Sequence, residues 1–139
     1  MKNFIVFAVF ALTTLGGGTA LADSACKDVN IKVTNSFKDG NNSKKIKVLA
    51  VNYYDSTDKK WRDNDMNNTE VSVGAQATVT ETLEYVENED VTQLQVKFQF
   101  LEDKGWSSDK WSNVKVTTDP KCVKGKVYTI TVTGTAAKK

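Results

Sequence analysis

The longest unbroken alternation of apolar and polar positions runs over residues 91–101. Leu94, Val96, Phe98 and Phe100 share one parity; Gln93, Gln95, Lys97 and Gln99 share the other. Successive strand side chains point to opposite faces, so the pattern predicts one buried face and one wet face. No other segment alternates for so long. It is the expected central strand of an antiparallel sheet.

The rest of the chain reads as shorter strands between turns. Val29, Ile31 and Val33 define a first strand. Turn formers crowd residues 38–43, with Asp39 and Gly40 as the turn core. A second strand covers 45–54, where Ile46, Val48 and Ala50 alternate with lysines until Leu49 and Val51 make both faces apolar. That doubling predicts a strand covered on both sides. After a short loop at 55–58, residues 59–62 return beside it and bring Trp61 near Asn52 or Tyr54.

Residues 63–68 read as a polar loop, 70–73 as a short strand ended by Gly74, and 77–86 as another strand. Glu81 falls on the parity of Val79, Leu83 and Tyr85. An unpaired carboxylate in a core is too costly, so a bulge or an exposed sheet edge is expected there. Residues 87–90 turn into the central strand and 102–105 turn out of it. A strand returns over 106–116, a turn at 118–121 carries the only proline, and 126–133 forms the last strand, with Tyr128, Ile130 and Val132 inward. Residues 134–139 read as a loose tail.

No segment beyond residue 22 shows a helical period. Seven or eight short strands predict an all-β chain, a single antiparallel β-sandwich of immunoglobulin-like or fibronectin-like type. A small closed β-barrel is the alternative.

The start of the chain changes the picture from fold to address. Lys2 precedes an apolar run over 4–12, and Ala20, Leu21 and Ala22 make a small-x-small site. This is the pattern of a secretory leader cleaved after Ala22. The apolar run is far short of the ~20 residues a membrane span needs. A lipid anchor on Cys26 is disfavoured by Asp23, Ser24 and Ala25 before it. Residues 23–139 then form one exported domain, periplasmic or extracellular, with no membrane span after cleavage.

That domain has 18 basic and 17 acidic side chains, a balance that offers nothing to nucleic acid. The charge is uneven along the chain, with net −7 over residues 55–90 and +5 over 91–139. Such blocks most simply make a solvated surface. Two cysteines in an exported chain predict a Cys26–Cys122 disulfide, with intermolecular pairing as the rival.

Candidate chemistry is limited first by absences. The chain contains no histidine, which removes histidine-based triads and zinc sites. With both cysteines bridged, no thiolate nucleophile remains. There is no glycine-rich phosphate loop. Glu81 with Glu84, or Glu87 with Glu89, has the composition of a glycosidase pair but sits where solvated edges and turns are expected. Asp63, Asp65 and Asn67 resemble the opening of a calcium loop, yet Asn68 and Gly74 stand where Gly and Glu are required. No enzyme, metal or cofactor is expected. Asn41 and Asn67 match the three-residue glycosylation pattern, which has meaning only in a glycosylating host.

The aromatics remain. Trp61, Trp106 and Trp111 all flank loops, and Tyr53 and Tyr54 lie across a hairpin from Trp61. In strict alternation Trp106 and Trp111 have opposite parity, unless residues 107–110 bulge. Exposed Trp and Tyr make platforms for sugars or anchors for a protein, while the alternative is packing in the core. The expectation is a non-catalytic binding module recognising another protein through a sheet edge or through loops. A carbohydrate-binding module using these aromatics is the second reading, and a self-assembling or pore-forming surface protein a remote third.

Overall fold

The computed structural model describes residues 24–139; the leader expected over 1–22 lies outside them. Twelve strands follow in order: β1 (Cys26–Asn35), β2 (Lys38–Asp39), β3 (Asn42–Ser43), β4 (Ile46–Asp55), β5 (Lys60–Val71), β6 (Gln76–Leu83), β7 (Val91–Glu102), β8 (Gly105–Trp106), β9 (Lys110–Ser112), β10 (Lys115–Val116), β11 (Val127–Val132) and β12 (Thr135–Ala136). They form a small sheet ordered β11-β1-β6, a large sheet ordered β12-β9-β7-β4-β5 with β8 and β10 also paired to β7, and a separate hairpin of β2 with β3. The small and large sheets share no ladder, so the fold is a sandwich and not a closed barrel.

The long alternating stretch is the centre of the large sheet. β7 pairs with β4 on one side and with β8, β9 and β10 in succession on the other. Leu94, Val96, Phe98 and Phe100 point inward to meet Val29, Ile31 and Val33 of β1 and Tyr128, Ile130 and Val132 of β11 in one core. Phe37 closes one end against Phe98 and Phe100, with ring centroids 5.1 and 4.9 Å away. The first and last long strands run parallel, Ile31 opposite Tyr128. Among the described residues this is the one parallel pairing, and the other ladders are antiparallel. Cys26 and Cys122 are bonded, both fully buried, with Cα atoms 6.0 Å apart. The bridge ties the start of β1 to the segment that leads into β11.

One expectation is met and others are corrected. The doubled apolar run in β4 marks a strand covered on both sides, with Ala50 and Asn52 buried on the outer face and Val51 and Tyr53 on the inner one. It also holds a bulge: Val48 pairs with Phe98 and Ala50 with Lys97, leaving Leu49 as the extra residue. The inward parity switches there from Ile46 and Val48 to Val51 and Tyr53. Residues 63–68 are not a loop but the middle of β5, which runs through to Val71 and buries Met66. Residues 106–116 are not one strand but three short ones.

Residues 134–139 are not loose. β12 pairs with β9, and the chain beyond it is hydrogen-bonded to the outer face of the large sheet. The polar parity of β7 is accordingly not all wet: Gln95 is fully buried. Glu81 sits at the gap between β6 and β5, where Asn64 Nδ2 donates to it at 2.9 Å. Partial burial raises its pKa above the ordinary carboxylate value, against the opposing Asn64 bond.

Candidate functional site: the outer face of the large sheet

The face of β7 that turns away from the core carries Gln93, Gln95, Lys97 and Gln99. Register extends this face across the sheet, because residues paired across a ladder lie on the same side. Trp61 pairs with Tyr54 and Tyr54 with Gln93; Asp63 pairs with Asn52 and Asn52 with Gln95; Asp65 pairs with Ala50 and Ala50 with Lys97. Trp111 is opposite Lys97, and Trp106 is opposite Leu101. All three tryptophans and Tyr54 therefore share one face.

One bulge brings Trp106 and Trp111 to the same side, and a second follows Trp111. Leu101 pairs with Trp106 and Phe98 with Lys110, so residues 107–109 oppose only Gln99 and Phe100. Lys97 pairs with Trp111 and Leu94 with Lys115, so three residues again oppose two. Each bulge carries a buried serine in place of the missing ladder acceptor. Ser107 Oγ accepts from the Phe100 N–H and Ser112 Oγ from the Val96 N–H, both at 3.0 Å. Each hydroxyl then donates to the carbonyl of the next residue, at 2.9 and 3.1 Å. A Trp-Ser pair thus repeats five residues apart, with the indole outward and the hydroxyl inward.

Asp109 locks the loop between the two indoles. Its Oδ2 lies 2.9 Å from Lys97 Nζ, and its Oδ1 accepts from Gln99 Nε2 at 2.9 Å. The Lys97 contact, helped by Gln99, holds the Asp109 carboxyl below its usual range and raises Lys97.

The tryptophans are half-buried. Trp61 packs against Tyr54 with centroids 5.5 Å apart and planes at 59°. Lys47 Nζ stands 4.3 Å above the Trp106 ring, and Lys138 Nζ 5.1 Å from that of Trp111. Cations over indole faces are attracted by the ring quadrupole. Tyr53 does not belong with the others. As the neighbour of Tyr54 in the same strand it points the opposite way, is 1% exposed, and donates its hydroxyl to Glu84 O at 3.2 Å.

Sequence reading missed the polar floor of this face. Asn52 and Gln95 are both fully buried, and Asn52 Nδ2 donates to Gln95 Oε1 at 3.0 Å. Gln95 Nε2 donates to Ser112 O at 3.0 Å and to Ala137 O at 3.2 Å, and its Oε1 accepts from Lys139 N at 2.9 Å. Asn52 Nδ2 also reaches Lys139 O at 3.2 Å. Lys138, between them, pairs with Asp63. The only sequence signal for this floor was Asn52 itself, a polar residue directly after the apolar run of β4.

Two other surfaces carry candidate chemistry. Glu81, Glu84, Asp28 and Asp65 line an open hollow beside β6, where partial burial raises the Glu81 carboxyl. Along β11, which among the described residues forms a ladder with β1 alone, a hollow of about 240 Å³ is lined by Lys115, Thr117, Asp119 and Tyr128 among others. Among the described residues no group of three or more acidic or cysteine side chains is arranged to hold a metal ion, and no helix is long and apolar enough to cross a membrane. Comparison with protein families, with characterised proteins and with solved structures finds no match, so a functional reading rests on the geometry of the chain itself.

Proposed function

We propose that this chain is an exported, non-catalytic binding module that recognises another protein through the outer face of its large sheet. The observation that carries the reading is the gathering of Trp61, Tyr54, Trp111 and Trp106 on one face. The serine-filled bulge at residues 107–109 keeps Trp106 and Trp111 on the same side. Part-exposed Trp and Tyr on a rigid sheet are the residue types that dominate protein interfaces. The flanking lysines and aspartates supply a charged rim. A buried disulfide suits a chain that folds in an oxidising compartment, periplasmic or extracellular.

The carbohydrate reading is less well served by this geometry. A sugar stacks on an open aromatic face, whereas Lys47 and Lys138 stand over two of the indoles. No catalytic role is proposed, since the chain lacks histidine and both cysteines are bonded.

The test compares the mature chain with Trp106→Ala and Trp111→Ala, each immobilised and exposed to exported proteins of its host and, separately, to a glycan array. The expected result is a protein retained by the parent and lost from both variants. Glycan binding abolished by Trp111→Ala, without any retained protein, would replace this reading by the carbohydrate one. Retention that ignores both substitutions would move the site to a sheet edge.

A further inference from the structure

The buried amides at the centre of the outer face already hold a peptide. Gln95 donates to the carbonyl of Ala137 and accepts from the N–H of Lys139. A carbonyl at one residue and an N–H two residues on are the groups that a neighbouring strand would engage. The side-chain amide of Gln95 thus imitates a strand edge in the middle of a sheet face. Asn52 adds a bond to Lys139 O. The residue between, Lys138, sends its ammonium to Asp63 and across the Trp111 ring. The main chain is read by the floor and the lysine by the wall.

Three features point beyond a simple packing contact. Asn52 and Gln95 are polar side chains with no exposure, on a face where alternation predicts water. Asn52 Oδ1 is buried and has no hydrogen-bond partner, so residues 137–139 leave one acceptor of the floor unused. Among the described residues Asp65, next to Asp63 along this face, makes no salt bridge, and the two present a negative wall to an incoming cation.

We infer that this floor and wall form a docking site for an extended segment of a partner protein bearing a lysine, and that residues 137–139 occupy the site in cis as a strap. The inference rests on the outer face being the binding surface. It adds which chemistry is read there, and that binding requires the strap to be displaced. A tethered segment competes at an effective concentration on the order of millimolar, so weak ligands are excluded and a better-fitting one is admitted.

The probe is a synthetic hexapeptide with the sequence of residues 134–139, titrated into the full mature chain and followed by calorimetry and tryptophan emission. The control peptide has both lysines replaced by glutamate. Lys138→Glu, at an exposed position, turns the strap's attraction for Asp63 into repulsion and leaves the core untouched. Ala136→Pro, which breaks the pairing of β12 with Trp111, releases the strap by a second route and is read in the same way.

The expected result is that the lysine hexapeptide binds both variants at least tenfold more tightly than it binds the parent, while the glutamate peptide binds none of them. Absence of binding to both variants at millimolar peptide overturns the inference, as does equal binding of the two peptides. Dimerisation of the variants without peptide also overturns it, since the occupant would then be a second copy. If the peptide fails while a partner is still lost on Trp106→Ala, only this inference falls and the binding-module reading stands.

Discussion

Arg62 closes a fork on the Asp55 carboxylate, with Nε 2.9 Å and Nη2 2.8 Å from Oδ2. The pair locks the β4–β5 hairpin from the inner side. Asp55 is 1% exposed, and its other oxygen accepts from the N–H groups of Thr57 and Asp58 at 3.0 and 3.1 Å. One carboxylate therefore both shapes the loop and neutralises the guanidinium. Arg62 spreads its remaining surface over the Tyr85 ring, 4.4 Å away.

Removing Arg62 strands the Asp55 carboxylate in a dry place, whereas Arg62 without Asp55 still keeps its contact with the more exposed Asp58. Arg62→Ala is expected to lower stability by about 3–5 kcal/mol, the range for breaking one side of a buried ion pair. The carboxylate it strands is the more deeply buried partner. Urea denaturation of Arg62→Ala, Asp55→Ala and the double variant checks this. The double variant should be less than the sum of the singles; strict additivity would mean that the two groups do not act as a pair.

The serine-filled bulges make a separate prediction. Ser112 is fully buried and satisfies the Val96 N–H in the centre of the sheet. Ser112→Ala leaves that donor without a partner and should cost about 1–3 kcal/mol. Hydrogen exchange at the Val96 amide should accelerate, and iodide should quench Trp111 more strongly as its bulge loosens. Ser107→Ala should act likewise on Phe100 and Trp106. A change in stability without any change in exchange at these two amides would disprove the assigned role.

What was legible in the chain follows from these same elements. A strand with strict alternation over residues 93–100 announces itself, because every inward position must be apolar for the core to close. Trp61 was readable as a neighbour of Asn52 or Tyr54 across a short hairpin, and the register places it opposite Tyr54. The cysteine pair was readable from composition.

The bulges were not. Alternation reports parity only while the ladder is regular, and one extra residue at Leu49, or in 107–109, flips parity without altering composition. Serine in such a stretch reads as a wet residue until its hydroxyl is seen to replace a ladder acceptor. Gln95 was invisible for a related reason. A glutamine in an alternating strand looks exposed, and its cover is a segment more than forty residues away. The strap has the composition of a loose tail, and only the amides beneath it hold it down.

The disulfide should be a major source of stability. It closes a loop with a sequence separation of 96. On the chain-entropy model such a loop contributes about 4–5 kcal/mol, with measured values often lower. Cys26→Ser with Cys122→Ser, or reduction of the parent, should lower the urea midpoint accordingly. Because both sulfurs are buried, reduction of the folded chain should be slow and should speed up through the unfolding transition. Rapid reduction under native conditions would contradict the burial of this bridge.

The last prediction concerns alkaline pH. Burial pushes the Tyr53 hydroxyl up to about 12, against the opposing charge of Arg62, and burial with the nearby Asp119 raises Tyr128 as well. An unfolded tyrosine releases its proton near pH 10. The folded chain thus holds these protons more tightly, and linkage sets the sign. The stabilising contribution is complete below about pH 10 and is lost as pH rises toward about 12 through the folded value of Tyr53. Denaturation midpoints should be flat from pH 8 to about 10 with respect to these groups, then fall. Tyr53→Phe removes one titration and the bond to Glu84 O, so it should be less stable by about 1 kcal/mol at neutral pH and decline less steeply above pH 10. Phenolate absorbance provides the check: Tyr53 and Tyr128 should ionise only at strongly alkaline pH or together with unfolding. Ionisation of all four tyrosines near pH 10 in a folded chain would mean that neither ring is held in the core as described.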